Sequence, residues 1–104
     1  MKVYLITDND SLFKIGRSVN TENRLKSLQT SNGRKLTILY EVECKHGTKV
    51  ESIMHRRYSS KRINGEWFQL SNEECNNFIN DVKSIDENLS YIFENSTLKN
   101  PLGY

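Results

Sequence analysis

The strongest constraint on the fold is a pair of short alternating segments at the start of the chain, separated by turn residues. Lys2–Thr7 alternates in polarity and is rich in β-branched and aromatic residues, which is typical of a strand. Asp8–Ser11 has the composition of a turn. Leu12–Gly16 again has strand character, so the sequence predicts an N-terminal hairpin.

The middle of the chain predicts two helices with a strand between them. Apolar spacing predicts helices over Thr21–Thr30 and Lys49–Tyr58, with Asn20 or Thr21 as the N-cap of the first. Leu36–Cys44 has the alternation of a strand. Its alternating apolar residues are Leu36, Ile38, Tyr40 and Val42.

The last third predicts a short extended segment, Gly65–Leu70, followed by helices. A capping box at Ser71 opens a helix through Val82, and a weaker helix covers Asp86–Phe93. Residues 96–104 contain helix breakers and predict a loosely ordered tail. The order β-β-α-β-α indicates an α+β fold, with a small, mostly antiparallel central sheet flanked by helices, as one domain over residues 1–95.

Charge is unevenly distributed along the chain, although the net charge is only +2. Residues 1–62 carry thirteen Lys and Arg against six Asp and Glu, a net +7; residues 63–104 carry two against seven, a net −5. A basic half favours a polyanionic partner; the alternative is an accidental asymmetry of a solvated surface. The apolar runs are too short to cross a bilayer and no signal peptide is recognisable. We therefore expect an intracellular protein of the cytoplasm or nucleus, in an infected host cell if the source is viral.

The chain has two cysteines, Cys44 and Cys75. One disulfide between them is conceivable, but a small secreted scaffold usually carries more. We therefore expect two free, buried thiols.

The predicted hairpin brings an unusual pair of side chains together. If Tyr4 pairs with Lys14, both side chains project from one face of the sheet. The ammonium group would favour the phenolate and lower the pKa of Tyr4, which makes Tyr4 a candidate general base. Packing of the Lys14 stem on the aromatic ring is the simpler alternative.

A candidate phosphate-binding group follows the hairpin. Gly16 lacks a side chain and would let a phosphate backbone approach closely. Arg24, near the start of the predicted helix, can donate two hydrogen bonds to phosphate oxygens. The alternative for Arg24 is a solvated helix residue.

Glu51 and His55 lie four residues apart, on one face of the second predicted helix. A carboxylate can hold one Mg²⁺-like ion that keeps most of its waters, and His55 could assist a proton transfer; the alternatives are an exposed charge and a core histidine. Glu66 could join Glu51 at a metal or lie at the edge of the sheet. Trp67 and Phe68 read as core anchors or, alternatively, as stacking partners for an unpaired base.

These candidate residues belong to short motifs that follow one another along residues 2–70. The motifs are Lys2-Val3-Tyr4, Phe13-Lys14-Ile15-Gly16-Arg17-Ser18, Arg24-Leu25 with Leu28-Gln29-Thr30, Glu51 with His55, and Arg62 leading into Gly65-Glu66-Trp67-Phe68. The set resembles the GIY-YIG nuclease superfamily, and most closely a viral and phage branch of it that is often labelled only as a DNA-binding domain. Residues 71–95 form a helical extension outside the resemblance.

The resemblance implies a metal-dependent DNA endonuclease. Tyr4 would orient or deprotonate the attacking water, Arg24 would stabilise the charged phosphoryl group, and Glu51 would bind one divalent cation, Mg²⁺ or Mn²⁺. Lys14 and His55 complete the implied catalytic set. Six further residues are expected to contact DNA: Arg17, Ser18, Arg56, Arg57, Lys61 and Arg62.

Two positions depart from the pattern of the family name. Lys2 stands in place of the first glycine, and Lys14 in place of the second tyrosine, where it either removes activity or activates Tyr4. A DNA-binding module of the same fold without turnover is therefore the second hypothesis. A protein-interaction domain that uses Trp67, Phe68 and the acidic half of the chain is the third. We expect no membrane association, and a homodimer is left open.

Overall fold

The computed structural model of the protein describes residues 1–95, and the tail predicted over residues 96–104 lies outside them. Within the described residues, five strands and four α-helices follow one another, with one turn of 3₁₀ helix at Ser59–Lys61. They are β1 (Lys2–Thr7), β2 (Phe13–Ser18), α1 (Thr21–Thr30), β3 (Thr37–Glu43), α2 (Gly47–Arg57), β4 (Arg62–Asn64), β5 (Trp67–Phe68), α3 (Asn72–Asn76) and α4 (Phe78–Asn95). The strands form one antiparallel sheet in the order β3-β1-β2-β5-β4. The predicted α+β fold class is confirmed.

The N-terminal hairpin forms, but its register differs by two residues from the pairing of Tyr4 with Lys14. Tyr4 lies opposite Gly16, and Lys14 lies opposite Ile6. Residues two apart on a strand share a face, so Tyr4 and Lys14 still project to the same side. The direct cross-strand pair that we expected is nevertheless wrong.

The sheet divides the core into two clusters, and helices pack on both of its faces. On one face α2 and α4 cover the larger cluster. Its fully buried residues include Val3, Leu5, Ile15, Val50, Met54, Phe68 and Val82. On the other face α1 covers a smaller cluster of three buried residues, Tyr4, Ile6 and Leu36.

A bulge in β3 distributes its alternating residues between the two clusters. The pairing of β3 with β1 shifts at Leu39, which has no partner of its own. Leu36 and Ile38 consequently pack in the smaller cluster, whereas Tyr40 and Val42 pack in the larger one. Strict alternation would have put all four side chains on one face.

The C-terminal helices have different bounds from those predicted. The capping box is confirmed: Oγ of Ser71 accepts from the Glu74 amide at 3.1 Å, and Oε1 of Glu74 accepts from the Ser71 amide at 2.8 Å. The predicted break after Val82 is wrong, because α4 runs unbroken over Phe78–Asn95 and buries Val82 and Ile85 against the larger cluster. No helix within residues 1–95 has the length and apolar character needed to cross a membrane.

The two cysteines are free and buried, as predicted. Both pack in the larger cluster. Burial raises the pKa of the Cys44 thiol to about 11, so this thiol stays protonated at neutral pH. The cysteines are therefore part of the core.

Candidate functional site

The candidate site forms at an edge of β2 that its neighbouring strand leaves open. β5 pairs with β2 only at Phe13 and Lys14. The last backbone bond along this edge joins the Ile15 amide to the Glu66 carbonyl at 3.3 Å. Beyond it, Gly16–Ser18 has only β1 as a neighbouring strand within the described residues. Side chains from both faces of the sheet can therefore meet here.

Tyr4 and Arg24 form the part of the site on the α1 face. Tyr4 is only 1% exposed, and its ring fills the space beside Gly16. A Cβ atom at Gly16 would lie 2.9 Å from Cε1 of that ring. The room that we expected for a phosphate is thus taken by the tyrosine. Arg24, an exposed residue of α1, lies near the Tyr4 hydroxyl, and its guanidinium acts to lower the pKa of that phenol.

The pKa of Tyr4 is raised, which contradicts the expected lowering by Lys14. Burial of the phenol is the main cause, the charge and hydrogen bond of Arg24 oppose it, and the carboxylates of Glu66 and Glu51 add to it. The Lys14 ammonium instead lies 2.9 Å from Oε1 of Glu66. The Tyr4 hydroxyl is therefore protonated at neutral pH, and Lys14 forms an ion pair with Glu66.

His55 reaches the site from α2, on the opposite face. Its Nε2 lies 2.7 Å from the Ile15 carbonyl, and because a carbonyl only accepts, Nε2 carries the proton. Nδ1 therefore holds the lone pair and lies 3.4 Å from Nη2 of Arg62. The ring also packs edge-on against Phe68, with the ring centres 5.0 Å apart. No sequence pattern indicates the backbone acceptor of His55, since packing of α2 against β2 supplies it.

Glu51 is partly buried beside a second carboxylate. Its side chain is 15% exposed, and its Oε1 lies 3.7 Å from Nε of Arg17. Burial raises its pKa most, and Glu66 raises it further, against the lowering effects of His55, Arg17 and Lys14. A further positive charge between the two carboxylates would favour their ionised forms.

One ligand atom each from Glu51, His55 and Glu66 lies within 4.8 Å of the others. Carboxylate oxygens suit Mg²⁺ and Mn²⁺, and imidazole is a ligand for transition metals. The two carboxylates therefore suit one divalent cation, whereas both ring nitrogens of His55 already have neighbours in Ile15 and Arg62. Glu66 lies near Glu51, which is one of the two arrangements expected from the sequence.

Three of the six residues expected to contact DNA lie close to this site or to the turn beside it. Arg17 contacts Glu51, and Arg62 contacts His55. The Ser18 hydroxyl donates to a backbone carbonyl at 2.9 Å and so is used within the turn before α1.

The other three form no ion pair with Glu51 or Glu66 within residues 1–95. Nζ of Lys61 is 2.5 Å from Glu74, and Nη1 of Arg57 is 3.5 Å from Asp81. Arg56 is exposed and has no ion pair within residues 1–95. The basic surface beside the site is therefore smaller than the count of charges suggests.

Comparison with known proteins gives a family that spans the site. A family model described as the T5orf172 domain matches residues 1–83, which include every residue of the candidate site. No curated protein matches the chain, and no solved structure does. The T5orf172 domain is phage-associated and is related to nuclease and DNA-binding families of the GIY-YIG-like kind. Because the match covers most of its length, the chain belongs to the T5orf172 domain family.

Proposed function

We propose that the protein is a metal-dependent DNA endonuclease that hydrolyses a phosphodiester bond at the open edge of β2. The observation that carries this proposal is the convergence of four groups from separate parts of the chain. They are the phenol of Tyr4, the guanidinium of Arg24 and the carboxylates of Glu51 and Glu66. Membership of a family related to nucleases supports it.

Arg24 and Tyr4 act on the phosphate and the water in this proposal. The Arg24 guanidinium stabilises the charge that builds on the phosphoryl oxygens. Tyr4 orients the attacking water through its hydroxyl, because its pKa is raised, mainly by burial, and a neutral phenol does not remove a proton. This differs from the phenolate base that the sequence suggested.

His55 is the proton acceptor in this proposal. Its Nε2 is occupied by the Ile15 carbonyl, so Nδ1 is the atom with a lone pair. One lone pair cannot bind both a proton and a metal, so we assign the cation to Glu51 and Glu66. A cation held there would lower the pKa of the attacking water. Lys14 holds the Glu66 carboxylate in place at 2.9 Å.

A nicking assay on supercoiled plasmid and on branched DNA, with Mg²⁺ or Mn²⁺, tests the proposal. We expect cleavage by the wild type, none in EDTA, and losses of at least about 100-fold for Glu51→Gln and Arg24→Ala. Asn80→Ala, an exposed change on α4, is the control and should cleave normally. Absence of wild-type cleavage on all substrates, or full cleavage by Glu51→Gln, would contradict the proposal.

A DNA-binding module without turnover is the second candidate function. The ion pair between Lys14 and Glu66 favours it, because it occupies one of the two carboxylates assigned to the cation. Gel-shift binding that persists in EDTA, with no cleavage product under any metal condition, would support this candidate over the nuclease.

A further inference from the structure

An open pocket of about 430 Å³ lies at one end of the sheet. It is lined by the turn between β1 and β2, the turn between α1 and β3, and the adjoining ends of β4 and β5. The volume falls in the range of small-ligand sites, roughly 300–1,000 Å³. Its lining includes Asp8, Asn32, Arg34, Asn64 and Trp67.

The walls of the pocket are held by hydrogen bonds. Oδ1 of Asp8 accepts from three successive backbone amides of the first turn, at 2.9 to 3.0 Å. Gln29 donates to the Arg34 carbonyl at 2.7 Å and accepts from the Leu36 amide at 2.8 Å. Oδ1 of Asn32 accepts from the Arg34 amide at 3.0 Å. A pocket held in this way loses little conformational entropy when it binds a ligand.

Polar groups of the lining remain available to a ligand. The Asn64 side chain and Nδ2 of Asn32 form no hydrogen bond with any residue in the described range 1–95. The Arg34 guanidinium is 61% exposed and has only a loose pair with Asp10, at 3.5 Å. A carboxamide presents a donor and an acceptor side by side, which matches the edge of a nucleobase.

Trp67 supplies the aromatic wall and connects the pocket to the candidate active site. It directly follows Glu66 and lies opposite Lys14 of β2. Nζ of Lys14 is 2.9 Å from Oε1 of Glu66 and 5.7 Å from the centre of the Trp67 ring. Phe68, in contrast, is fully buried in the core. Trp67 is half-buried against the smaller cluster, but it is the aromatic residue that lines the pocket, and it directly follows Glu66, a proposed metal ligand.

We propose that this pocket binds an unpaired base of the DNA substrate, beside the phosphate that is cleaved. The base would stack on Trp67 and hydrogen-bond through its edge to Asn64 and Asn32, while Arg34 would contact a flanking phosphate. The preferred substrate is then DNA with a nucleotide outside the duplex stack. The inference rests on the proposed function and adds a substrate class to it.

Fluorescence titration of the full chain tests this inference directly, because Trp67 is the only tryptophan in the sequence. Three duplexes of the same sequence are titrated in EDTA: fully paired, with a one-nucleotide bulge, and with the same bulge carrying an abasic sugar. We expect the base-containing bulge to quench Trp67 and to bind roughly 5- to 150-fold more tightly than the abasic bulge.

Asn64→Ala provides a variant that leaves the core intact, because Asn64 is exposed. We expect it to reduce the preference for the base over the abasic sugar about tenfold, and Asn80→Ala to leave that preference unchanged. Equal affinity for the two bulges with unchanged fluorescence would overturn the pocket assignment and leave DNA binding intact. Failure to bind any of the duplexes, in EDTA and also in Mg²⁺ with the Glu51→Gln protein, would overturn both the pocket assignment and the proposed function.

Discussion

At the scale of single residues, the proposed chemistry needs an ionised Glu51 carboxylate, and that ionised form lowers the stability of the fold. Its pKa is raised above the usual 4.5, first by burial and then by Glu66. The protonated carboxyl is therefore favoured in the folded state. Its contribution to stability is full below pH 4.5 and is lost as the pH rises through the folded-state pKa. At neutral pH the ionised carboxylate thus lowers the free energy of unfolding.

We accordingly predict that Glu51→Gln raises the free energy of unfolding at about pH 7.5 by on the order of 0.5 to 1 kcal/mol, while it removes cleavage. Glutamine keeps the shape of the side chain without its charge. Urea denaturation at about pH 7.5 and about pH 3.5 measures the effect, which should shrink at the lower pH because the wild-type carboxyl is then protonated. Glu87→Gln, an exposed change on α4, is the control. A less stable Glu51→Gln protein at neutral pH would contradict the prediction.

Gly16 is the second residue whose surroundings decide its role. We predict that Gly16→Ala lowers the free energy of unfolding by roughly 1–3 kcal/mol, because the added methyl group would overlap the buried Tyr4 ring. The displaced phenol would also lose its contact with Arg24. Gly33→Ala is the matched control, since no atom lies within 4 Å of a Cβ there. Equal urea midpoints for the two variants would contradict the prediction, because they would mean that the Tyr4 ring moves aside with no loss in the free energy of unfolding.

At the scale of elements, α2 depends on α4 for the cap of its first turn. His46 occupies the N-cap position, but its side chain makes no capping hydrogen bond, and the first turn contains no acidic residue. Asp86 of α4 provides hydrogen-bond acceptors and negative charge at this end of α2. Its carboxylate accepts from the Lys45 amide at 3.0 Å and from the His46 amide at 2.8 Å. The carboxylate also places negative charge at the positive end of the helix.

We predict that Asp86→Ala lowers the free energy of unfolding by about 1–2 kcal/mol, which is the usual cost of losing a helix cap. Because α2 carries Glu51 and His55, cleavage should fall as well. Urea denaturation followed by circular dichroism gives the first quantity and the nicking assay the second. Glu87→Ala, at the next position of the same helix, should change both only slightly. An Asp86→Ala protein as stable as Glu87→Ala would refute this account of the cap.

At the scale of the whole molecule, the acidic half folds against part of the basic half. Asp81 and Glu74, from the C-terminal helices, pair with Arg57 and Lys61. These cations are therefore partly neutralised within the protein. Arg17 forms only a loose ion pair, because its Nε lies 3.7 Å from Oε1 of Glu51 at the candidate site. Arg17, beside the open β2 edge, is therefore more available to a phosphate than Arg57 and Lys61 are.

Salt dependence of DNA affinity distinguishes these cations. We predict that Arg17→Gln weakens binding and reduces the slope of log affinity against log salt by about 1, because one phosphate contact is lost. Arg57→Gln should leave the slope unchanged, since its guanidinium lies 3.5 Å from Asp81. Fluorescence anisotropy over a salt series measures both slopes. A larger change for Arg57→Gln would contradict this prediction and would mean that the C-terminal end of α2 takes part in DNA binding.

The sequence by itself determined the local elements of this protein. The hairpin strands, the bounds of α1 over Thr21–Thr30 and the capping box at Ser71 were all predicted, and Asn20, the N-cap of α1, was one of two residues expected there. These features follow from periodicity, turn composition and side chains that cap a helix within the same turn. Each of them depends on residues a few positions apart, so a local pattern is enough to predict it.

Only the tertiary structure decided the surroundings of each site residue. It placed Tyr4 opposite Gly16, brought Glu66 to Glu51, and raised the pKa of Tyr4 where the sequence suggested a lowering. It also tied Lys14 to Glu66. Strand register, burial and the distance between charges on different elements depend on how those elements pack, and no pattern within a single segment encodes that packing.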